Sequence, residues 1–139
     1  MTTKLNFKQA FTAGLMAAGI ATVVNAILFL VFHSAGIIVD TIFIQPNQPM
    51  TIVPIIISSI VPTLIATLVF FLLEKFTKNG FKIFRIVAII LLVLSFVNPF
   101  MGIQGVTVGY AIVLNLMHVI VVGALLYFIG NSVKKNSTN

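Results

Sequence analysis

Cysteine and tryptophan are absent from this chain, and only two of its 139 residues are acidic. Without Cys there is no disulfide, no thiol nucleophile and no thiolate metal site, and the redox compartment leaves no trace. Charged residues make up 7% of the chain, against about 25% in a typical soluble domain. Apolar residues make up 60%. So few charges would leave most of a folded surface apolar, which excludes a soluble monomer. The same apolar excess excludes intrinsic disorder. The length suits a single domain, residues 1–139.

What is present is a set of long apolar runs. Four of them reach the roughly 20 residues needed to cross a hydrocarbon core: about Gln9 to Phe32, Met50 to Leu73, Phe81 to Met101 and Val106 to Gly130. None shows the alternation of a membrane-barrel strand. Helices satisfy their own backbone groups in lipid, so the expected fold class is all-α, a bundle of four transmembrane helices. Lys4 and Lys8 before the first run, with Val24-Asn25-Ala26 near its end, imitate a secretory signal. A signal's apolar region is about 7–15 residues long, and here it runs on through Phe32, so the segment reads as a retained helix.

The basic residues fix an expected orientation. Lys4 and Lys8 precede the first span, and Lys134 and Lys135 follow the fourth. Lys75, Lys78, Lys82 and Arg85 cluster at the turn between the second and third. The two opposite loops carry no Lys or Arg, so all eight cations fall on one side. The positive-inside rule makes that side cytoplasmic, with both termini inside. The net charge of +6 therefore reads as topology and attraction to anionic headgroups, each juxtamembrane cation contributing about 1 kcal/mol, and not as nucleic-acid binding. Glu74 is placed to pair with Lys78 at i, i+4, and the tail from Asn131 is expected to fray.

Helices in lipid associate through small residues and polar bonds. Ala13, Ala17, Ala21 and Asn25 form one row on the first span, beside Gly14, Ala18 and Thr22. Ser59, Thr63 and Thr67 form another on the second, beside Pro54, Ser58 and Pro62. The third span carries Ala88, Ser95, Asn98 and Pro99, and the fourth Ala111, Asn115 and His118. At a rise of about 1.5 Å per residue, Asn25, Ser58, Asn98, Asn115 and His118 all come out about 18–25 Å above the cytoplasmic ends. Each helix thus contributes to one outer-half polar layer. It reads either as a dry interhelical clamp or as the floor of a cavity open to the outside. His118 is the one ionisable side chain deep in a span and for that reason a functional candidate; the plain alternative is a neutral His bonded to Asn25 or Asn98.

The first outer loop, residues 33–49, is apolar and β-branched from Gly36 to Ile44 before Gln45-Pro46-Asn47-Gln48-Pro49 turns back. It is too short to span and too apolar to lie free in water. It reads as a lid over the bundle mouth, an interfacial segment, or a docking element for a partner, with Ile38 and Phe43 as contacts and Asp40 at its wet edge. The glycine-rich second loop, Gly102 to Gly109, is expected close to it. No Ser–His–carboxylate set, phosphate-binding loop, paired acids or metal-ligand cluster is visible, so no enzyme, cofactor or metal is expected.

The segments Ala21-Thr22-Val23-Val24-Asn25, Leu72-Leu73-Glu74-Lys75, Phe84-Arg85, Leu91-Leu92-Val93-Leu94-Ser95-Phe96 with Pro99, and Leu116-Met117-His118-Val119 together resemble a family of small bacterial four-helix membrane proteins named only as a domain of unknown function. The resemblance runs over nearly the whole chain. It implies a bacterial inner-membrane protein and aligns Asn25, Pro99 and His118 with the family's polar marks, but it supplies no activity. Two functions stay open. One is a non-enzymatic membrane protein that binds or passes a small solute or lipid through the polar pocket. The other is an accessory subunit, in a homo-oligomer or with a membrane-protein partner, that docks through the 36–44 loop or a helix face.

Overall fold

The computed structural model describes residues 4–138. Its elements run α1 (Phe7–Ser34), β1 (Phe43–Gln45), β2 (Gln48–Pro49), α2 (Ile52–Phe76), α3 (Gly80–Ser95), α4 (Asn98–Gly102) and α5 (Val108–Ser137). Helix α1, helix α2, the α3–α4 pair spanning Gly80–Gly102, and helix α5 are each long and apolar enough to cross a bilayer. The chain is an all-α, multi-pass membrane protein.

The distribution of side-chain size on α1 reverses that of a helix in a soluble protein. On α1 the buried face is Ala10, Ala13, Gly14, Ala17, Ala18, Ala21 and Asn25. Leu15, Met16, Ile20, Val23, Ile27 and Leu30 point outward. Small residues inside let backbones approach, and large apolar residues outside meet lipid. Gly14 shows how close the approach is, because a Cβ there would overlap the Thr67 side chain. Helix α1 packs along both α2 and α5, and α3 packs against the same two helices from its own side. On α2 the buried row is Ser59, Thr63 and Thr67. The two threonine hydroxyls donate to the carbonyls four residues back, Thr63 to Ser59 at 2.6 Å and Thr67 to Thr63 at 2.7 Å. The two threonines are thus satisfied within their own helix, while the Ser59 hydroxyl is met from α1.

At the basic end three ties bring the chain segments together. An Asn6–Gln9 capping box starts α1. Gln9 Nε2 also donates to Asn136 Oδ1 on α5 (3.1 Å), and Lys4 Nζ donates to the Lys75 carbonyl in the last turn of α2 (2.9 Å). Such last-turn carbonyls lack an intrahelical donor. The α5 helix accordingly continues through Ser137, and the expected fraying from Asn131 is not observed; the Gln9–Asn136 bond gives the last turns a tertiary partner. The expected Glu74–Lys78 pair is also missing. Helix α2 stops at Phe76, where Thr77 takes the Leu73 carbonyl through both its N–H and its hydroxyl, so Lys78 falls outside the i, i+4 geometry. Gly80 then fits against the Glu74 backbone, where any Cβ would collide.

The third span departs from a continuous helix. Helix α3 ends at Ser95 and α4 begins at Asn98. Pro99 has no N–H to give the Ser95 carbonyl and disfavours helix just before it. At this end residues 35–50 fold back over the bundle. Pro46 sets a φ of about −65° and Asn47 takes a φ of 59°, the Pro-then-Asn combination of a type II turn, which joins the antiparallel strands β1 and β2. Ile38, Ile42 and Met50 bury themselves against Phe29, Ile55, Tyr110, Val113, Leu114 and Met117. Ile37 Cγ2 comes within 3.4 Å of where a Gly109 Cβ would stand, so the two loops do meet.

Candidate functional site

The expected polar layer divides into two groups with different geometry. The first ties helices together. Asn25, 2% exposed, donates through Nδ2 to Ser59 Oγ (3.1 Å) and to the Met117 carbonyl (3.3 Å), joining α1, α2 and α5. Asn115 Nδ2 donates to the Phe96 carbonyl (3.1 Å) and so holds α5 to the end of α3, where the helix breaks. Ser95 bonds within its own helix, to the Leu92 carbonyl (2.7 Å). The Oδ1 atoms of Asn25 and Asn115 are buried without a hydrogen-bond partner.

The second group, Ser58, Asn98 and His118, is exposed and lines one cavity of about 650 Å³. Its walls are Pro54, Ile57, Val61 and Pro62 of α2, the α4 segment through Gly102, and Leu114, Met117 and Val121 of α5. Asn25 stands behind it, and Ile44, Gln45 and Gln48 of the hairpin form its rim. Pro62 lies inside α2 and removes the donor that would have served the Ser58 carbonyl. His118 bonds neither Asn25 nor Asn98. Its Nδ1–H donates to the Leu114 carbonyl one turn back (2.8 Å). The bond fixes the ring and leaves Nε2 as the ring atom a ligand can reach.

The loop residues separate in the same way. Ile38 is 1% exposed and belongs to the protein's own core, while Phe43 is 49% exposed; a partner surface made of both would first have to unpack the lid. Asp40 accepts from His33 Nε2 (3.1 Å), pairing the last turn of α1 with the loop. This pair went unrecognised in the sequence, although seven residues across a helix end is a separation that a tight turn can close. Among the described residues no group of three His, Cys, Asp or Glu side chains gathers to hold a metal.

Comparison with known proteins adds one finding. The model of a family described as "Family of unknown function (DUF6069)" matches residues 6–135. The chain belongs to that family. The match takes in all four spans, the hairpin and both polar groups, so the cavity and the clamp lie wholly within the DUF6069 region. No curated protein and no solved structure matches the chain.

Proposed function

We propose that this DUF6069 protein is a non-enzymatic integral membrane protein that binds or passes a small solute or lipid through the cavity between α2, α4 and α5. The observation that carries this reading is the cavity itself. Its volume of about 650 Å³ falls in the range of small-molecule sites, roughly 300–1,000 Å³. Its lining is mostly apolar with a few convergent polar groups, Ser58, Asn98 and His118, which is the composition such sites have. An amphipathic molecule, apolar in body with one hydrogen-bonding end, suits it best. The eight basic residues, all at the opposite end of the bundle, support an orientation with both termini cytoplasmic. In a bacterial inner membrane the cavity then opens in the outer half.

The absence of native Cys makes the test direct. Single variants Asn98→Cys, His118→Cys, Asn25→Cys and Asn115→Cys, with Leu91→Cys as a lipid-facing control, are treated in intact cells with a membrane-impermeant maleimide. Maleimide reacts with the thiolate, and a thiolate requires water. The expected result is labelling at positions 98 and 118 and none at 25, 115 or 91. Absence of labelling at both 98 and 118, in variants that express and fold, would make the layer a dry clamp and overturn the proposal.

A further inference from the structure

A second cleft lies at the other end of the molecule, between the first turns of α1 and the last turns of α5. It holds about 310 Å³ and is lined by Leu5, Lys8, Gln9, Thr12, Ala13, Met16, Ser132, Lys135 and Asn136. Its chemistry is graded along the helix axes. At the rim two lysines arrive from two different helices, with the hydroxyls of Thr12 and Ser132 close by. Deeper in, Ala13 and the outward-facing Met16 continue the wall toward the apolar belt. No carboxylate lines the cleft among the described residues. The chain has only two acidic side chains: Asp40 is paired with His33 at the far end, and Glu74 lies against Gly80 at the α2–α3 turn, outside the cleft. The Gln9–Asn136 bond (3.1 Å) bridges the two helices here and sets the spacing of the walls.

We infer that this cleft is a binding site for the phosphate headgroup of an anionic glycerophospholipid, with Lys8 and Lys135 as the cationic jaws and Met16 and Ala13 as the wall for the upper acyl chain. Three features favour a lipid over a free anion. The cleft lies at headgroup level at the end of two spanning helices, its lower wall is apolar, and basic pockets between spanning helices are the recognised form of such sites. Lys4 contributes elsewhere, because its ammonium is held by the Lys75 carbonyl. The site is independent of the larger cavity and of what that cavity binds.

The test counts lipids retained by the purified full chain in detergent micelles, using phosphatidylglycerol, phosphatidylcholine of the same acyl composition, and inorganic phosphate as probes. Wild-type protein is expected to retain phosphatidylglycerol in preference to phosphatidylcholine, and millimolar inorganic phosphate is expected to leave that preference intact. Lys8→Gln/Lys135→Gln should weaken phosphatidylglycerol binding roughly thirtyfold, about fivefold for each lysine. Lys78→Gln/Lys82→Gln removes the same charge from the α2–α3 turn and should change it less than twofold. All four positions are exposed, so the variants keep the fold, which helicity measured alongside verifies. Met16→Trp should lower lipid retention while leaving the lysines in place. Equal losses in the two double variants would reduce the effect to diffuse surface charge and overturn the site. Complete displacement by inorganic phosphate, with no effect of Met16→Trp, would overturn the lipid assignment in favour of a free anion.

Discussion

Asn25 and Ser59 meet across the α1–α2 interface, the Asn25 Nδ2 donating to the Ser59 Oγ at 3.1 Å. Neither side chain reaches solvent, and the same amide nitrogen also serves the Met117 carbonyl at 3.3 Å. One small amide therefore fixes the mutual register of three helices directly behind the cavity. Measured interhelical bonds of this kind average about 0.6 kcal/mol and reach about 1.7. A double-mutant cycle with Asn25→Ala and Ser59→Ala, followed by unfolding in mixed micelles, is expected to give a coupling energy of that size. Asn25→Ala should be the costlier single change, because it also removes the bond to the Met117 carbonyl. A coupling indistinguishable from zero would mean that helix packing alone sets the register.

The α1–α2 contact nearer the basic end depends on the absence of one carbon. A Cβ at position 14 would overlap Thr67, whereas one at position 19 meets nothing within 4 Å. Gly14→Ala is therefore expected to destabilise the protein by about 1–3 kcal/mol, the usual cost of overpacking. Gly19→Ala should stay within about 0.5 kcal/mol of wild type. The same unfolding assay checks both, and equal effects would show that the two helices separate more easily than their packing implies.

The outward-inward contrast behind these numbers was legible in the sequence. Ala13, Ala17, Ala21 and Asn25 recur at helical spacing in a chain otherwise made of Leu, Ile, Val and Phe, and small residues are what a spanning helix needs inside. The polar residues beside the row were harder to read. Ser58 and Ser59 are adjacent in sequence, yet one lines the cavity and the other is buried under Asn25; a difference of about 100° around the helix decides it, and depth along the axis does not record that angle. His118 and Asn115 separate for the same reason, one facing the cavity and the other capping the Phe96 carbonyl. The break after Ser95 was signalled by Pro99. Its consequence, a free carbonyl that recruits Asn115 from α5, required the third dimension.

The lid offers a contrast between two residues that the sequence grouped together. Ile38 fills the core beneath residues 35–50, and Phe43 lies on its outer surface. Ile38→Ala should cost about 2–5 kcal/mol, the range for truncating a buried aliphatic side chain, and should speed amide exchange across the hairpin. Phe43→Ala is expected to cost less than about 1 kcal/mol. A reversed order, with Phe43 the more costly in a native membrane and not in detergent, would indicate that Phe43 is covered by lipid or by another protein.

Tyr110 carries a different kind of information. Its ring is fully buried beneath the lid among Ile38, Val113 and Leu114, and its hydroxyl has no hydrogen-bond partner. A buried polar group left unpaired costs about 1–3 kcal/mol, so removing the oxygen while keeping the ring should relieve that cost. Tyr110→Phe is expected to raise the unfolding free energy by about 1 kcal/mol, whereas Tyr110→Ala, which empties the ring's volume, should lower it by about 3–5. A Phe variant less stable than wild type would show that the hydroxyl has found a partner, most simply a water held beneath the lid. Water there would place a wet site within one turn of the cavity wall at Leu114.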